Sequence, residues 1–121
     1  MAAKLKSIPV VDIDCDGVFK YILVHLCAYD PKDNKVLVRG YARAKWHSDI
    51  FKEVETKVKE IVKGVDVRCL GGGKIDHERD YKQIKVFGTS QKYGKADHRQ
   101  TVQLLKVKYP DYKVCFSDEE T

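Results

Sequence analysis

Several features that mark particular classes of protein are absent from this sequence. Its 121 residues contain no apolar run near the ~20 residues that a membrane-spanning helix requires. The first seven residues carry two lysines but no apolar stretch with a cleavage pattern, so we expect a cytoplasmic protein without a membrane contact. No repeat, linker or low-complexity segment divides the chain, which predicts a single domain over residues 1–121.

The four cysteines are too far apart to form a recognisable metal or redox motif. None stands in a Cys-x-x-Cys pair, and none has the histidine spacing of a zinc finger or zinc ribbon. We therefore expect buried, unpaired thiols in a reducing compartment and no metal site. The residues concerned are Cys15, Cys27, Cys69 and Cys115.

Other motifs of common enzyme classes are incomplete. The run Leu70-Gly71-Gly72-Gly73-Lys74 lacks the spacing of a Walker loop, and Ile75 stands where serine or threonine is needed, so we expect a bend or a close backbone approach there. No Gly-x-Ser-x-Gly elbow or Cys-x5-Arg loop is present. Asp12, Asp14 and Asp16 alternate as in a calcium loop but lack its closing glutamate, which predicts a solvated turn.

The chain has a net charge of +5 and a pI near 9.0, which favours anionic partners such as phosphorylated groups. Lys92, Lys95, His98 and Arg99 form a basic cluster that suggests nucleic acid. However, no aromatic residues are interleaved with them as a base-stacking platform requires. We therefore expect no nucleic-acid partner.

Hydrophobic periodicity predicts five strands and two helices. The strands are expected over 17–29, 35–44, 65–70, 83–88 and 112–116, and the helices over 48–63 and 96–109. The strand over 17–29 is apolar on both faces, which is typical of a strand in the middle of a covered sheet. No regular βαβ rhythm is present. The pattern therefore predicts an α+β domain in which a single mixed β-sheet is flanked by two α-helices.

The first helix has a clear apolar stripe and a charged opposite face. Asp49 lies in the first turn, where a negative charge is favourable, and Gly64 is a natural end. Two acid–base pairs at i,i+4 spacing, Glu53 with Lys57 and Glu55 with Lys59, are expected on the solvent side. The stripe consists of Ile50, Phe51, Val54, Val58, Ile61 and Val62.

Three positions could carry chemistry. His47 directly precedes the first helix, whose unpaired amides attract anions and disfavour a protonated imidazole; alternatively, His47 only caps the helix. Lys20 lies in the most apolar strand, where it must either reach water or meet an anion. The glycine-bounded segment 88–94 either forms an anion nest or is a plain connecting loop.

The order and spacing of several short motifs resemble the phosphohistidine phosphatases of the Janus/Ocnus family along nearly the whole chain. These motifs are Asp16-Gly17-Val18-Phe19-Lys20-Tyr21, Val38-Arg39-Gly40-Tyr41, His47-Ser48-Asp49-Ile50, Cys69-Leu70-Gly71-Gly72-Gly73, Ser90 with Tyr93-Gly94, and Lys108-Tyr109-Pro110-Asp111-Tyr112. Each motif alone is weak, and their combination is specific.

The resemblance implies a metal-independent hydrolysis of the phosphorus–nitrogen bond of phosphohistidine in proteins, without a cofactor. It implies that His47 is catalytic, as a general base or a nucleophile, and that Lys20 binds the phosphate. Backbone amides of the Ser90-Gln91-Lys92 segment would hold the phosphate as well. Arg39 and Lys74 match supporting basic positions, although family members have arginine where this chain has Lys74. We expect a monomer, and the alternative is a catalytically silent, phosphoprotein-binding member of the family.

Overall fold

A computed structural model of the chain describes residues 5–28 and 33–117. Within these ranges lie six strands, two α-helices of 15 and 11 residues, and a short 3-10 turn at Arg79–Tyr81. In chain order they are β1 (Val11–Ile13), β2 (Gly17–Cys27), β3 (Asn34–Gly40), α1 (His47–Ile61), β4 (Asp66–Glu78), β5 (Gln83–Phe87), α2 (His98–Lys108) and β6 (Lys113–Phe116). The described strands form one sheet in the order β1-β3-β2-β4-β5-β6.

The sheet is mixed, as the sequence predicts. β2 pairs antiparallel with β3 and β4, and β4 pairs antiparallel with β5. The strands at the two edges, β1 and β6, pair parallel with their neighbours β3 and β5. The predicted α+β class, with one sheet flanked by two helices, is confirmed.

The central strand β2 separates two hydrophobic cores. Ile22, Val24 and Leu26 point to the core that α1 covers, whereas Tyr21 and Leu23 belong to the core under α2. All five side chains are fully buried. Because side chains alternate along a strand, a strand that is apolar at successive positions must be covered on both faces. This explains why the two helices pack on opposite sides of the sheet.

The predicted stripe of α1 is correct except at Ile61. Ile50, Val54, Val58 and Val62 are buried, whereas Ile61, the last residue of the helix, is exposed. Glu55 does pair with Lys59, at 3.1 Å. The second predicted pair is wrong, since Glu53 instead pairs with Arg43 outside the helix, at 2.9 Å.

The structure corrects several sequence expectations. β4 continues through the three glycines, and β3 ends at Gly40, after which Tyr41 and Ala44 close a turn. β1 was not predicted, because three residues carry no readable periodicity. The predicted turn over 30–34 lies largely outside the described residues.

Two aspartates and two cysteines also differ from the sequence predictions. The aspartates near β1 bind the protein rather than only water: the Asp12 carboxylate accepts from the Tyr41 hydroxyl, and the Asp14 carboxylate from the Ala42 amide. Cys15 and Cys115 are exposed free thiols, so their predicted burial is wrong. None of the helices in the described ranges has the length and apolar character needed to cross a bilayer.

Candidate active site

An open cleft of about 540 Å³ lies where β2 and β4 meet the start of α1 and the loop that follows β5. It collects most of the residues that the sequence singles out. The lining residues are Lys20, Trp46, His47, Ser48, Lys74, Thr89, Ser90, Gln91 and Lys92. Positive charge dominates, since the lining includes three lysines and no carboxylate.

His47 is the first residue of α1, and its ring is held from behind. Its Nε2 lies 2.9 Å from the carbonyl oxygen of Gly73 on β4. A carbonyl oxygen can only accept, so Nε2 carries the proton and Nδ1 keeps a lone pair in the neutral ring. His47 is only 8% exposed, and Nδ1 has no hydrogen-bond partner in the described part of the chain. Every fully buried side-chain nitrogen of the described residues has a hydrogen-bond partner. Since Nδ1 has none, it is not fully buried, and it keeps contact with the cleft that His47 lines.

The surroundings of His47 lower its pKa below the usual value of 6.5. Burial is the main cause, because it penalises the charged ring. The hydrogen bond to Gly73 opposes this effect, while the charges of Lys20 and Lys74 add to the lowering. The positive end of α1 acts in the same direction. The ring is therefore neutral, and able to accept a proton, at neutral pH.

The glycines of β4 let His47 approach the sheet. A Cβ on Gly72 would lie 2.7 Å from Cδ2 of His47 and 2.8 Å from the carbonyl oxygen of Tyr21. A Cβ on Gly73 would meet the carbonyl oxygen of Phe87 at 2.4 Å. Any side chain at these positions would displace its neighbours. The predicted close backbone approach is confirmed, and the close neighbour is the imidazole itself.

Lys20 and Lys74 lie directly opposite each other in the pairing of β2 with β4. Like charges at such a pair repel each other, because the side chains are only about 5 Å apart at Cβ. Neither lysine forms an ion pair with a carboxylate within residues 5–28 and 33–117. A bound anion between the two ammonium groups would relieve this repulsion.

The loop after β5 closes the cleft with a small hydrogen-bonded ring. The amide of Ser90 donates to the carbonyl of Gly94, and the amide of Gly94 donates back to Ser90. The Ser90 hydroxyl accepts from the amide of Tyr93, at 3.1 Å. The amides of Gln91 and Lys92 have no acceptor among the described residues, and both residues line the cleft.

This geometry bears on the role expected for Ser90. In this structure its amide is used inside the loop, so phosphate binding by this amide, which the resemblance implies, stays a prediction. Ser90 shapes the loop here, and the amides that stay open belong to Gln91 and Lys92. Adjacent amides in a tight turn are typical of an anion-binding nest.

A buried chain of hydrogen bonds supports the loop from the other face of the sheet. The Tyr21 hydroxyl lies 2.6 Å from Nδ1 of His98, and Nε2 of His98 donates to the carbonyl of Gly88 at 2.8 Å. Thr101 completes the chain, 2.9 Å from the Tyr21 hydroxyl. Burial raises the pKa of Tyr21 far above its usual range, so the hydroxyl keeps its proton as a donor. The chain fixes Gly88, where the loop begins.

Arg39 does not reach the cleft, which corrects the expectation that it supports the site. It is 6% exposed, and its guanidinium donates to the carbonyls of Pro9, Val10 and Val38. These acceptors lie in the segment before β1 and in β3. Arg39 therefore holds the N-terminal segment against the sheet. Lys74, the second expected supporting residue, does line the cleft.

Sequence reasoning did not assign a role to three residues that line the cleft, Trp46, Ser48 and Thr89. A signal was available for the first two, because they flank His47 in the chain. The partner of His47, Gly73, was hidden within the glycine run. Its identity depends on the pairing register of β4 with β2, which no local pattern specifies.

Comparison with known proteins gives a consistent picture. The Janus/Ocnus family (Ocnus) model matches residues 5–113. A 14 kDa phosphohistidine phosphatase from Sus scrofa is 44% identical, over 98% of this chain and 96% of that protein. The sex-regulated protein janus-A of Drosophila melanogaster is 43% identical over 95% of this chain and 83% of that protein, and its counterpart in Drosophila pseudoobscura pseudoobscura is 44% identical. This chain belongs to the Janus/Ocnus family.

Proposed function

We propose that this protein hydrolyses the phosphorus–nitrogen bond of phosphohistidine in proteins, with His47 as the general base. One observation carries the proposal: a neutral histidine nitrogen, two unpaired lysines and two open backbone amides share one cleft. The relative from Sus scrofa, which is named a phosphohistidine phosphatase, supports the same substrate.

The positive groups account for binding and for much of the rate. Phosphoryl transfer has a loose, charge-rich transition state, so placement and positive charge do most of the catalysis. In our proposal Lys20, Lys74 and the amides of Gln91 and Lys92 hold the three phosphoryl oxygens. Because these groups supply positive charge, we propose that the reaction needs no metal ion. No group of three or more potential metal-binding side chains is found in the described part of the chain.

The proposed step places water between Nδ1 of His47 and the phosphorus. The water oxygen forms a bond to phosphorus while its proton passes to Nδ1. The phosphorus–nitrogen bond breaks, and its electron pair stays on the imidazole nitrogen of the substrate. Because the second nitrogen of that ring carries a proton, the leaving group is a neutral imidazole. His47 then returns its proton to solvent. We favour this route over attack by His47 itself, because attack would only rebuild the kind of bond that the reaction breaks.

Phosphate release from a phosphohistidine peptide, measured with and without a chelator, tests the proposal. We expect turnover well above the uncatalysed rate, with no loss in the chelator. Trapping with labelled phosphoramidate should yield no acid-labile phosphoenzyme. Accumulation of one would show that His47 acts as a nucleophile and not as a general base.

The alternative function is a silent phosphoprotein-binding protein. It is motivated by the janus-A relatives, which are 43% and 44% identical to this chain and whose name states no reaction. Binding of a phosphohistidine peptide without any phosphate release would favour this alternative and contradict the proposed hydrolysis. The free Nδ1 of His47, beside two lysines that have no carboxylate partner among the described residues, argues for the enzyme.

A further inference from the structure

The ring of Trp46 stands at the edge of the cleft without an evident structural role. It is 54% exposed, although tryptophan is one of the largest apolar side chains, and it precedes His47 in the chain. Trp46 lines the same cleft as Lys20 and Ser90. Tyr81 and Val107 are more exposed, but neither of them lines this cleft, so it is the position of Trp46 rather than its exposure alone that points to a ligand.

Capping of α1 does not explain Trp46. The backbone amide of Trp46 donates to the Asp49 carboxylate at 3.0 Å, and its carbonyl accepts from the Asp49 amide at 3.1 Å. The indole takes no part, because it has one N–H donor and no acceptor. In the described ranges, the ammonium of Lys45, 5.7 Å from the ring centre, is the one charged group recorded over this ring. The backbone of Trp46 is therefore fixed at the helix start, while the half-exposed ring takes no part in capping.

The rest of the cleft offers no comparable surface. Apart from Trp46 and His47, its lining consists of lysine, serine, threonine and glutamine. His47 is bound to Gly73 and has only a small exposed area. A volume of about 540 Å³ is far larger than a phosphoryl group, which fills the space of only a few water molecules at about 30 Å³ each. The cleft therefore has room for part of the group attached to the phosphoryl as well.

We infer that the indole of Trp46 forms a subsite for the imidazole ring of the substrate phosphohistidine. This inference rests on the proposed function. An imidazole that enters with its phosphoryl group finds one broad aromatic surface on which to stack, and stacking of aromatic rings is favourable. When the second nitrogen of that imidazole is protonated, the ring is cationic. The indole face attracts a cation, which offsets repulsion by the lysines of the cleft.

The subsite predicts selectivity for a ring-bearing substrate, which two substrates can reveal. Phosphoramidate has the same phosphorus–nitrogen bond as phosphohistidine but no ring. We expect Trp46→Leu to lower the ratio of kcat/KM for a phosphohistidine peptide to kcat/KM for phosphoramidate roughly fivefold. Trp46→Phe keeps an aromatic face and should lower the ratio less than twofold. An unchanged ratio in Trp46→Leu, including equal losses on both substrates, would overturn the subsite.

Fluorescence gives a test that does not depend on turnover. Trp46 is the one tryptophan of the sequence, so its emission reports this position alone. We expect a triazole-phosphonate analogue of phosphohistidine to change the emission beyond the change caused by saturating inorganic phosphate. If calorimetry detects binding of the analogue but the two emission changes are equal, the subsite is wrong. An emission response in a protein without phosphatase activity would support the subsite while contradicting the proposed hydrolysis, so the two failures are distinguishable.

Discussion

The Nε2–H of His47 donates to the carbonyl oxygen of Gly73, 2.9 Å away, and this bond determines which nitrogen of the ring can act on a substrate. It leaves Nδ1 as the basic atom, at the surface of a cleft rich in positive charge. The bond joins the start of α1 to the glycine run of β4. The sheet thereby orients the residue that the helix presents.

Gly72 controls the position of His47, which can be tested by adding a single methyl group. In Gly72→Ala the new Cβ would lie 2.7 Å from the His47 ring, so the ring must move. We expect kcat to fall more than tenfold and the free energy of unfolding to fall by roughly 1–3 kcal/mol, as for other overpacked sites. Activity assays and urea unfolding measure the two effects.

Gly17→Ala is the matched control for that experiment. An added Cβ there meets nothing within 4 Å, but the residue has a φ of +103°, which favours glycine. The variant should therefore lose stability without losing kcat. A fully active Gly72→Ala would contradict the close approach of His47 to β4.

Lys74 acts on the titration of His47 as well as on phosphate. The charge of Lys74 lowers the pKa of His47, in addition to the main effect of burial. Removal of this charge in Lys74→Gln should raise the pKa, so the acid limb of the pH–rate profile moves to higher pH. NMR titration of the His47 ring measures the shift directly. Lys113→Gln, at the exposed edge strand, should leave the titration unchanged, and a downward shift in Lys74→Gln would contradict the electrostatic account.

The lowered pKa of His47 also affects stability in acid. Because the unfolded chain accepts the proton first as the pH falls below about 6.5, the neutral buried ring stabilises the fold above that range and loses this effect below it.

Arg39 should affect stability rather than substrate binding. In Arg39→Met the carbonyls of Pro9, Val10 and Val38 lose their donor, which is expected to cost roughly 2–4 kcal/mol of unfolding free energy. The KM of the folded variant should stay within twofold of wild type. Lys74→Gln should show the reverse pattern, with a higher KM and little loss of stability. A raised KM with unchanged stability in Arg39→Met would contradict this account and indicate that Arg39 supports substrate binding.

The sequence predicts the parts of the fold that have strong local patterns. The buried face of α1 and the burial of β2 on both sides are visible in the sequence, because apolar residues recur there at the spacing of a helix or a strand. The strand through Gly71, Gly72 and Gly73 is not visible, since glycine has a low strand propensity and only tertiary contacts hold it there. The three-residue strand β1 likewise exists because β3 offers a partner.

The site was predictable in its members but not in its bonds. Family resemblance brings His47, Lys20 and Lys74 together, and all three line the cleft. The resemblance gave no information on internal hydrogen bonds, so the use of the Ser90 amide within its own loop was missed. Arg39 was expected at the site for the same reason. The sequence shows its charge, but it does not show that two of its carbonyl acceptors come from a segment about 30 residues away.

Replacement of His47 by glutamine tests the central claim most directly. Glutamine can still donate an N–H to Gly73, so His47→Gln should keep the fold while removing the base. We expect kcat for a phosphohistidine peptide, measured by phosphate release, to fall at least 100-fold, the size of a general-base contribution. His25→Gln, at a partly buried position on β2 remote from the cleft, should retain wild-type activity. A His47→Gln protein within tenfold of wild-type kcat would contradict the role of His47 as the catalytic base.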